Sequence, residues 1–409
     1  MTIRVRAGLT LIVAMAIMGW VGCDHYNCSS GANFGSGCTA STGGLSTSGG
    51  SGSSGGSSIA VLAYYLSNNE VGSIELNTSP ALVDTPNFVL PTLPTGYTNS
   101  GAVIAQEQFL YVPYASTSSL YAWSIDSSTG ALTALAGSPF SVPDAAGLAS
   151  ASQLTAPIIT NPTGTFLFMA DALDSRIDVF QIGTSGVPIL LSQTQTSIPP
   201  WNLSTDGLGR YLYVTEGNAA GEGETMAVYS INSLTGQLSG GTTMAFPMWQ
   251  VQGEITGTFM IGVDGETGFA SNKAFDPNVY VFSIGSNGVL TQVAKYPTPS
   301  GDGPTSVAVS PNGQFVYDFN LSTTTGADGP MDAFSLTGGV LTPLASVSGL
   351  TTPGGGFFDQ SGAFLFFYAS GAIGVFTIDT TTGIPSEPVQ PVGVGGGAVV
   401  YPWAVTDPQ

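Results

Sequence analysis

One sequence pattern recurs seven times between Ile59 and Gln409, and its period constrains the fold more than any single residue does. The clearest copy reads Pro304-Thr-Ser-Val-Ala-Val-Ser-Pro-Asn-Gly-Gln-Phe-Val-Tyr317, followed by Met331-Asp-Ala-Phe-Ser-Leu336. The copies are spaced by about 45 to 57 residues, which is the size of a small sheet module. A period of this length indicates a repeated array of similar modules.

Each copy predicts four short antiparallel strands. The second strand is the most regular, and it recurs as Phe109-Leu-Tyr-Val112, Phe166-Leu-Phe-Met169, Tyr211-Leu-Tyr-Val214, Phe259-Met-Ile-Gly262, Phe315-Val-Tyr317 and Phe364-Leu-Phe-Phe367, with Val61-Leu-Ala-Tyr64 as a degenerate first member. The third segment alternates, as in Ile177-Asp-Val-Phe-Gln-Ile182, which predicts a strand buried on one face. A Thr-Gly or Asn-Gly turn then leads into a short fourth strand.

The modules predict an all-β fold, a seven-bladed β-propeller with four-stranded antiparallel blades. Four short strands cannot bury both of their faces alone, whereas radial stacking around a channel covers them. The first repeat begins at its second strand, while the chain ends with a surplus inner strand, Tyr401-Pro-Trp-Ala-Val-Thr-Asp-Pro408. We therefore expect one blade to be shared between the two termini, because this pairing closes the ring and removes an exposed edge.

The chain before the repeats predicts export. Residues 1–22 combine Arg4 and Arg6 with an apolar run of about 15 residues, which describes a signal peptide better than a spanning helix. The end of this segment resembles a bacterial lipobox with Cys23 as the lipidated residue, although Trp20 departs from that motif. The alternative is ordinary cleavage and secretion. Localisation in the cell envelope, in the periplasm or on the outer surface, follows, with a lipid anchor in the membrane.

Residues 23–58 predict a tether, and residues 59–409 the propeller. The tether is mostly Gly, Ser and Thr, which cannot bury enough surface to offset the entropy of ordering. Cys28 and Cys38 remain as an even pair that suits a disulfide in an oxidising compartment. The single histidine, His25, also lies in this segment.

Charge excludes one class of partner. Only 8% of residues are charged, and 26 acids against 6 bases give a net charge of −20. Such a chain repels phosphate backbones, so we expect no nucleic-acid binding. A monomer is the expected oligomeric state.

The repeat resembles the lactonase-like seven-bladed propellers, also described as the Tyr-Val-Thr-Asn repeat family. The resemblance rests on Leu110-Tyr-Val112, Leu212-Tyr-Val-Thr215 and the hairpin Thr129-Gly-Ala-Leu-Thr133. It implies lactone hydrolysis, since members include 6-phosphogluconolactonases whose suggested sites use Arg, His and Glu at the channel mouth. Inner strands of that family often open with Pro-Arg-His, and the matching positions here carry neither Arg nor His: Pro200-Trp201-Asn202, Met248-Trp249-Gln250, Pro304-Thr305-Ser306, Pro353-Gly354-Gly355 and Pro402-Trp403-Ala404. A histidine-dependent mechanism is therefore not expected.

Aromatic and amide residues at these positions form the candidate binding site. Trp201, Trp249 and Trp403 occupy equivalent points of three inner strands, and Asn202 and Gln250 follow two of them. Flat apolar rings beside amides suit a carbohydrate or another neutral small molecule. The alternative is that the indoles fill the channel or pack between blades.

Acidic residues form the candidate catalytic site, and Glu216, Glu254 and Asp264 are its predicted members. They belong to a wider set with Asp171, Glu266 and Asp318, placed mainly after the second strands. Glu216 ranks first because the resembling family tends to carry an acid soon after its Tyr-Val strand. Acids facing the channel could bind Ca²⁺ or raise one another's pKa, with Arg176 or Lys273 as counter-charges. The alternative is that they are solvated loop residues.

Two functions follow from these candidates. The first is an exported, lipid-anchored binding module for a neutral ligand or an envelope protein. The alternative is a lactone hydrolase, that is, a carboxylic ester hydrolase that uses carboxylates without histidine. No metal is required by a known ligand spacing, and Ca²⁺ is the one cofactor considered. Clustered acids with perturbed pKa values would favour catalysis over binding.

Overall fold

The structure, a computed structural model, describes the propeller strands and many of their connections. The described residues are 59–67, 70–77, 82–89, 101–114, 119–127, 130–142, 157–172, 174–216, 225–246, 248, 250–254, 256–264, 276–322, 329–350, 353–369, 372–386, 388–393 and 400–406. None of them lies in a helix, so these ranges contain no helix long and apolar enough to span a bilayer.

The strands form seven antiparallel sheets, which are the seven predicted blades. From the inner to the outer edge, blade 1 contains β29 (Val400–Thr406), β1 (Ile59–Ser67), β2 (Glu70–Asn77) and β3 (Leu82–Val89). Blade 2 contains β4 (Val103–Ala105), β5 (Phe109–Tyr114), β6 (Ser119–Ile125) and β7 (Leu132–Ala134), with β8 (Phe140–Ser141) also paired to β6. Blade 3 contains β9 (Ile158–Thr160), β10 (Phe166–Asp171), β11 (Arg176–Ile182) and β12 (Pro188–Gln195).

The remaining four blades have the same order, from inner to outer strand. Blade 4 contains β13 (Pro200–Thr205), β14 (Tyr211–Glu216), β15 (Thr225–Ile231) and β16 (Leu238–Ala245). Blade 5 contains β17 (Gln250–Gly253), β18 (Phe259–Val263), β19 (Asn278–Ile284) and β20 (Leu290–Pro297). Blade 6 contains β21 (Gly303–Val309), β22 (Phe315–Leu321), β23 (Gly329–Thr337) and β24 (Val340–Leu350). Blade 7 contains β25 (Pro353–Phe358), β26 (Phe364–Ala369), β27 (Ala372–Thr377) and β28 (Val389–Gly393).

The ring is closed in the predicted way. Terminal strand β29 pairs antiparallel with β1, with Leu62 opposite Thr406 and Tyr64 opposite Ala404. The seven inner strands contact one another in sequence, from β29 through β4, β9, β13, β17, β21 and β25 back to β29. The predicted seven-bladed propeller and its terminal closure are thus confirmed.

The third strands are buried on both faces, not on one as the alternation predicts. In β11, Ile177 and Val179 pack toward blade 4 in one core cluster, whereas Phe180 packs toward blade 2 in another. The reason is that every blade lies between two other blades. The face of the third strand that carries the polar residues is therefore also covered, by the second neighbouring blade. A charged side chain on such a strand, such as Asp178, is therefore buried.

Hydrogen bonds from tyrosines tie adjacent blades together. The hydroxyl groups of Tyr64, Tyr111, Tyr213 and Tyr317 each donate to a turn carbonyl of the next blade, at Gly130, Gly186, Gly288 and Gly383 respectively. The O···O distances range from 2.5 to 3.0 Å.

The turn at Gly383 shows why glycine is needed there. Its φ is 73°, and a Cβ at this position would lie 2.2 Å from the Phe315 ring of the preceding blade. Glycine therefore meets both the left-handed backbone and the close packing between blades.

Candidate functional site

The candidate residues lie mainly at one end of the propeller, where the inner strands begin and the second strands end. We call this end the mouth. In blade 4, Glu216 is the last residue of β14, and it lies opposite Pro200, the first residue of β13. Asp171 has the equivalent place at the end of β10, opposite Arg176.

The inner strands carry a backbone bulge at the mouth in four blades. The residue after the proline is skipped in the pairing, which places Trp201, Thr305, Gly354 and Trp403 at equivalent positions. Bulges of this kind redirect a side chain and are frequent beside functional sites. The predicted equivalence of Trp201 and Trp403 is thus present in the backbone, while Trp249 lies outside the described residues.

The two amide candidates lie at different places on their inner strands. Asn202 follows the bulge in β13, and its Oδ1 accepts a hydrogen bond of 2.8 Å from the backbone amide of Leu203. Gln250 is the first residue of β17 and lies opposite Val263. A ligand site built from these residues stays a prediction.

The predicted acids do not form one cluster. Leu212 and Val214, on the same face of β14 as Glu216, pack against blade 3. Met260 alternates in phase with Asp264, and it packs against Tyr211 and Tyr213 on the other face of blade 4. Glu216 and Asp264 are therefore separated by the sheet of blade 4.

Glu254 lies at the opposite end of its blade, and the structure removes it from the mouth. Its carboxylate accepts hydrogen bonds from the backbone amides of Thr256, Thr258 and Phe259 and from the Thr256 hydroxyl, and so holds the turn between β17 and β18. Burial would raise the pKa of Glu254, but these hydrogen bonds bring it below its ordinary value. Asp264 is five residues past Phe259, about 17 Å along the strand at 3.3 Å per residue.

Glu216 has the most unusual environment of the three. Its side chain is fully buried, and neither carboxylate oxygen has a hydrogen-bond partner within the described part of the chain. Burial raises the pKa of Glu216 to about 7; the Ser197 backbone and the Thr225 hydroxyl oppose this shift without reaching hydrogen-bond geometry. A carboxyl group with such a pKa exchanges protons near neutral pH.

A cleft of about 370 Å³ lies between the outer parts of blades 3 and 4, and the buried Glu216 is not among the residues that line it. Ser197 and Tyr229 line it, and both are close to the Glu216 carboxylate, whose charge adds to burial in raising the pKa of Tyr229 to about 12. Gly240 and Gly241 form the wall on β16 with φ values of 100° and 82°. A Cβ on Gly241 would come 2.9 Å from the Tyr229 ring, so the glycine keeps this wall clear.

Arg176 belongs to a second buried group at the mouth, between blades 2 and 3. Its guanidinium lies 3.1 Å from Asp171 and 3.1 Å from Asp178, with Asp174 at 3.7 Å. Gln193 donates a further hydrogen bond of 3.0 Å to Asp178. Burial raises the pKa of Asp171 to about 7, although the Asp174 amide and Arg176 oppose the shift. Arg176 thus pairs with the aspartates of its own blade and not with Glu216 or Asp264.

Asp264 and Asp318 lie in two further interfaces. Asp264 is buried beside Tyr280, and its charge contributes to the raised pKa of that tyrosine after burial and the contact with Asp276. Asp318 is buried next to Asp332 on the neighbouring strand β23. The sequence analysis did not single out Asp332 or Asp178. Each is the second residue of the repeated third-strand segment, Ile177–Ile182 or Met331–Leu336, and this shared position was the available signal.

Several predicted residues fall outside the described ranges. These are the lipidation residue Cys23, the pair Cys28 and Cys38, and His25, Glu266 and Lys273. Among the residues that are described, no group of three or more His, Cys, Asp or Glu side chains could hold a metal ion.

Comparison with known proteins points to the lactonase-type propellers. Residues 99–248 match the family model "Lactonase, 7-bladed beta-propeller". A 6-phosphogluconolactonase of Erwinia tasmaniensis is 26% identical over 249 residues, which cover 60% of this chain and 66% of that protein, just under two thirds of its length.

Solved structures share the fold at lower identity. A periplasmic gluconolactonase of Pseudomonas aeruginosa has a TM-score of 0.59 and 16% identity, covering 85% of this chain and 100% of its own. A protein from Lactobacillus plantarum has a TM-score of 0.59 and 17% identity, with coverage of 85% and 99%. Over residues 99–248 the chain therefore matches the family of seven-bladed lactonase propellers, and across its described length it has their fold.

Proposed function

We propose that this chain is an exported lactone hydrolase in which Glu216 acts as the general base on a neutral lactone. The observation that carries the proposal is the buried Glu216 carboxyl group, which has no hydrogen-bond partner among the described residues and a pKa raised to about 7. The similarity to lactonase-type propellers supports the reaction class.

The chemistry needs one carboxylate and one water. Glu216 takes a proton from a water molecule that has to reach it from the cleft, and the resulting hydroxide adds to the lactone carbonyl carbon. The tetrahedral intermediate collapses by breaking the ring C–O bond, and the proton held on Glu216 passes to the alkoxide that leaves. The product is a hydroxy acid, and Glu216 returns to its ionised form. A base with a pKa near the working pH is the most effective for such a transfer.

The positions of the basic side chains in the described part of the chain favour a substrate lactone that carries no phosphate group. Arg176 is surrounded by three aspartates, and Arg210 lies at the opposite end with Asp206 and the Gly257 carbonyl. Lys295 lies on β20, the outermost strand of blade 5. A phosphate group would therefore enter a site of negative charge without a counter-charge from these residues.

A hydrolysis assay with D-glucono-1,5-lactone tests this proposal. The spontaneous rate is measured in parallel and subtracted. We expect the wild-type chain to accelerate ring opening, and E216Q to lower kcat by roughly 10²- to 10⁴-fold, which is the usual contribution of a general base. E254Q is the matched control, because Glu254 serves a turn far from the cleft, and it should keep the wild-type rate. Turnover that persists in E216Q would refute the role of Glu216.

A binding module for a carbohydrate or an envelope protein is the second proposal. It is supported by the equivalent bulge positions of Trp201 and Trp403 at the mouth. Saturable binding of a neutral sugar without turnover in the same assay would favour it over hydrolysis.

The export part of the proposal rests on residues 1–58 of the sequence and on the likeness to a periplasmic gluconolactonase. Cys23 would carry the lipid, and Cys28 and Cys38 would pair. Labelling of the full chain with a radioactive fatty acid should be lost in C23A, and labelling that persists in C23A would exclude this anchor.

A further inference from the structure

We propose a Ca²⁺ site between blades 5 and 6, formed by the side chains of Asp318, Asn320 and Asp332 and the backbone carbonyl of Pro330. The site is separate from Glu216 and independent of lactone hydrolysis. Asp318 and Asn320 lie on β22, and Asp332 lies opposite Asp318 on β23.

Asp318 and Asp332 are both fully buried, and none of the ion pairs in the described part of the chain includes either carboxylate. Asp332 is well supplied with donors, because the Ser300 amide and hydroxyl and the Ser346 hydroxyl point to it. Two adjacent buried carboxyl groups need either a proton or a cation.

Two side-chain oxygens at this place accept no hydrogen bond from the described residues. Asp318 Oδ2 and Asn320 Oδ1 are buried, and neither has a hydrogen-bond partner in the described ranges. A proton on Asp318 Oδ2 would by itself not supply a donor to every such oxygen at this place. A bound cation offers a ligand bond to both types of oxygen.

Three oxygen atoms surround the amide nitrogen of Asn320. Its Nδ2 lies 3.0 Å from Asp318 Oδ1, 3.2 Å from the Pro330 carbonyl and 3.4 Å from Asp332 Oδ2. The two ends of an amide have nearly the same shape, so a turned amide would bring Oδ1 to this place. Separations of this size are those of neighbouring ligands around a cation with bonds of about 2.3–2.6 Å.

Ca²⁺ fits this set better than softer or smaller ions. All four ligands are hard oxygens, two of them carboxylates, which balance a divalent charge. Ca²⁺ accepts side-chain and backbone oxygens in a flexible geometry, whereas Mg²⁺ requires a near-ideal octahedron and usually keeps several waters. All four ligands belong to β22 and β23, so the ion would stabilise this pair of strands on the face that Val316 shares with Val263 and Val279 of blade 5.

Calorimetric titration of the metal-stripped full chain with CaCl₂ tests the site, with MgCl₂ as the comparison ion. We expect one equivalent of Ca²⁺ to bind more tightly than Mg²⁺, and a melting temperature roughly 4 °C higher at a 100-fold excess over Kd. D318N should lower the Ca²⁺ affinity at least tenfold. The metal-free D318N chain should be at least as stable as the metal-free wild type, because a buried charge is removed.

N320A supplies a second variant, and D359N is the matched control. N320A removes the amide oxygen and should also weaken Ca²⁺ binding. Asp359 is a buried aspartate that binds the Phe364 and Ser361 amides at the opposite end of blade 7, so D359N should keep the Ca²⁺ response. Absence of Ca²⁺ binding by the wild type would overturn the proposal. Equal binding by wild type, D318N and N320A would also overturn it.

Discussion

Arg176 and Asp171 form a buried ion pair at the mouth, with Nη2 of the arginine 3.1 Å from Oδ2 of the aspartate. Asp171 ends the second strand of blade 3, and Arg176 begins the third strand directly opposite. The same guanidinium contacts Asp178. One cation therefore serves two fully buried carboxylates, and its removal would leave both without a counter-charge.

The R176Q substitution should destabilise the propeller strongly. We expect a loss of about 3–5 kcal/mol in the free energy of unfolding, because breaking a buried pair leaves an uncompensated charge. R210Q is the control, since the Arg210 side chain is 45% exposed and its pair with Asp206 should contribute at most about 1 kcal/mol. Urea denaturation of the three chains measures both effects, and equal losses would contradict the ion-pair argument.

The stability of the chain should depend on pH through Glu216. Its pKa is raised from 4.5 to about 7 on folding, so between these values the folded state holds a proton that the unfolded state releases. Stability from this group is therefore highest at low pH and falls as pH rises from about 4.5 to 7. E216Q should be about as stable as wild type at pH 4.5 and more stable by roughly 3 kcal/mol at pH 8. A constant difference between the two chains across this range, in urea denaturation, would show that Glu216 titrates normally.

The tyrosine bonds between blades offer a reciprocal test. Y213F removes the bond to the Gly288 carbonyl and should cost about 1 kcal/mol. Phe168 is the equivalent residue of blade 3, and it lies in the cluster that joins blades 3 and 4. F168Y should form the missing bond to the turn at Gly236 and offset its packing cost in part. Denaturation midpoints measure both changes, and a Y213F chain as stable as wild type would refute the contribution of this bond.

Deletion of residues 400–409 should open the ring of blades. It removes β29, and the inner edge of β1 then loses its partner. We expect a lower melting temperature and concentration-dependent association, because an unpaired strand edge is a template for other chains. Analytical ultracentrifugation and thermal denaturation check this, and a monomer of unchanged stability would argue against terminal closure.

The fold could be predicted from the sequence because its signals are local. The period of the repeat, the alternation within strands and the surplus Trp403 strand each depend on nearby residues only. The candidate site could be predicted only in part. Glu216 and Glu254 lie in neighbouring repeats of the sequence. In the structure, Glu216 lies where a second strand ends, at the mouth, whereas Glu254 lies in the turn that joins an inner strand to a second strand. The two residues are therefore at opposite ends of the propeller.

The repeat itself indicates that Glu254 is a turn residue. Glu254 precedes Phe259 by five residues, as Asp206 precedes Tyr211, and in both cases the carboxylate accepts from the amide of the later residue. This recurrence marks a turn residue. The buried interface around Glu216 had no comparable signal, since it depends on which faces of two distant strands meet.

The pH dependence of lactone hydrolysis tests the central claim most directly. Because the ionised form of Glu216 is the base, kcat for D-glucono-1,5-lactone, after subtraction of the spontaneous rate, should rise with pH through a midpoint of about 7 and then level off. The rise should be absent from the residual rate of E216Q and retained in E254Q. A wild-type profile that is flat between pH 5 and 8, or one that E216Q reproduces, would contradict the account.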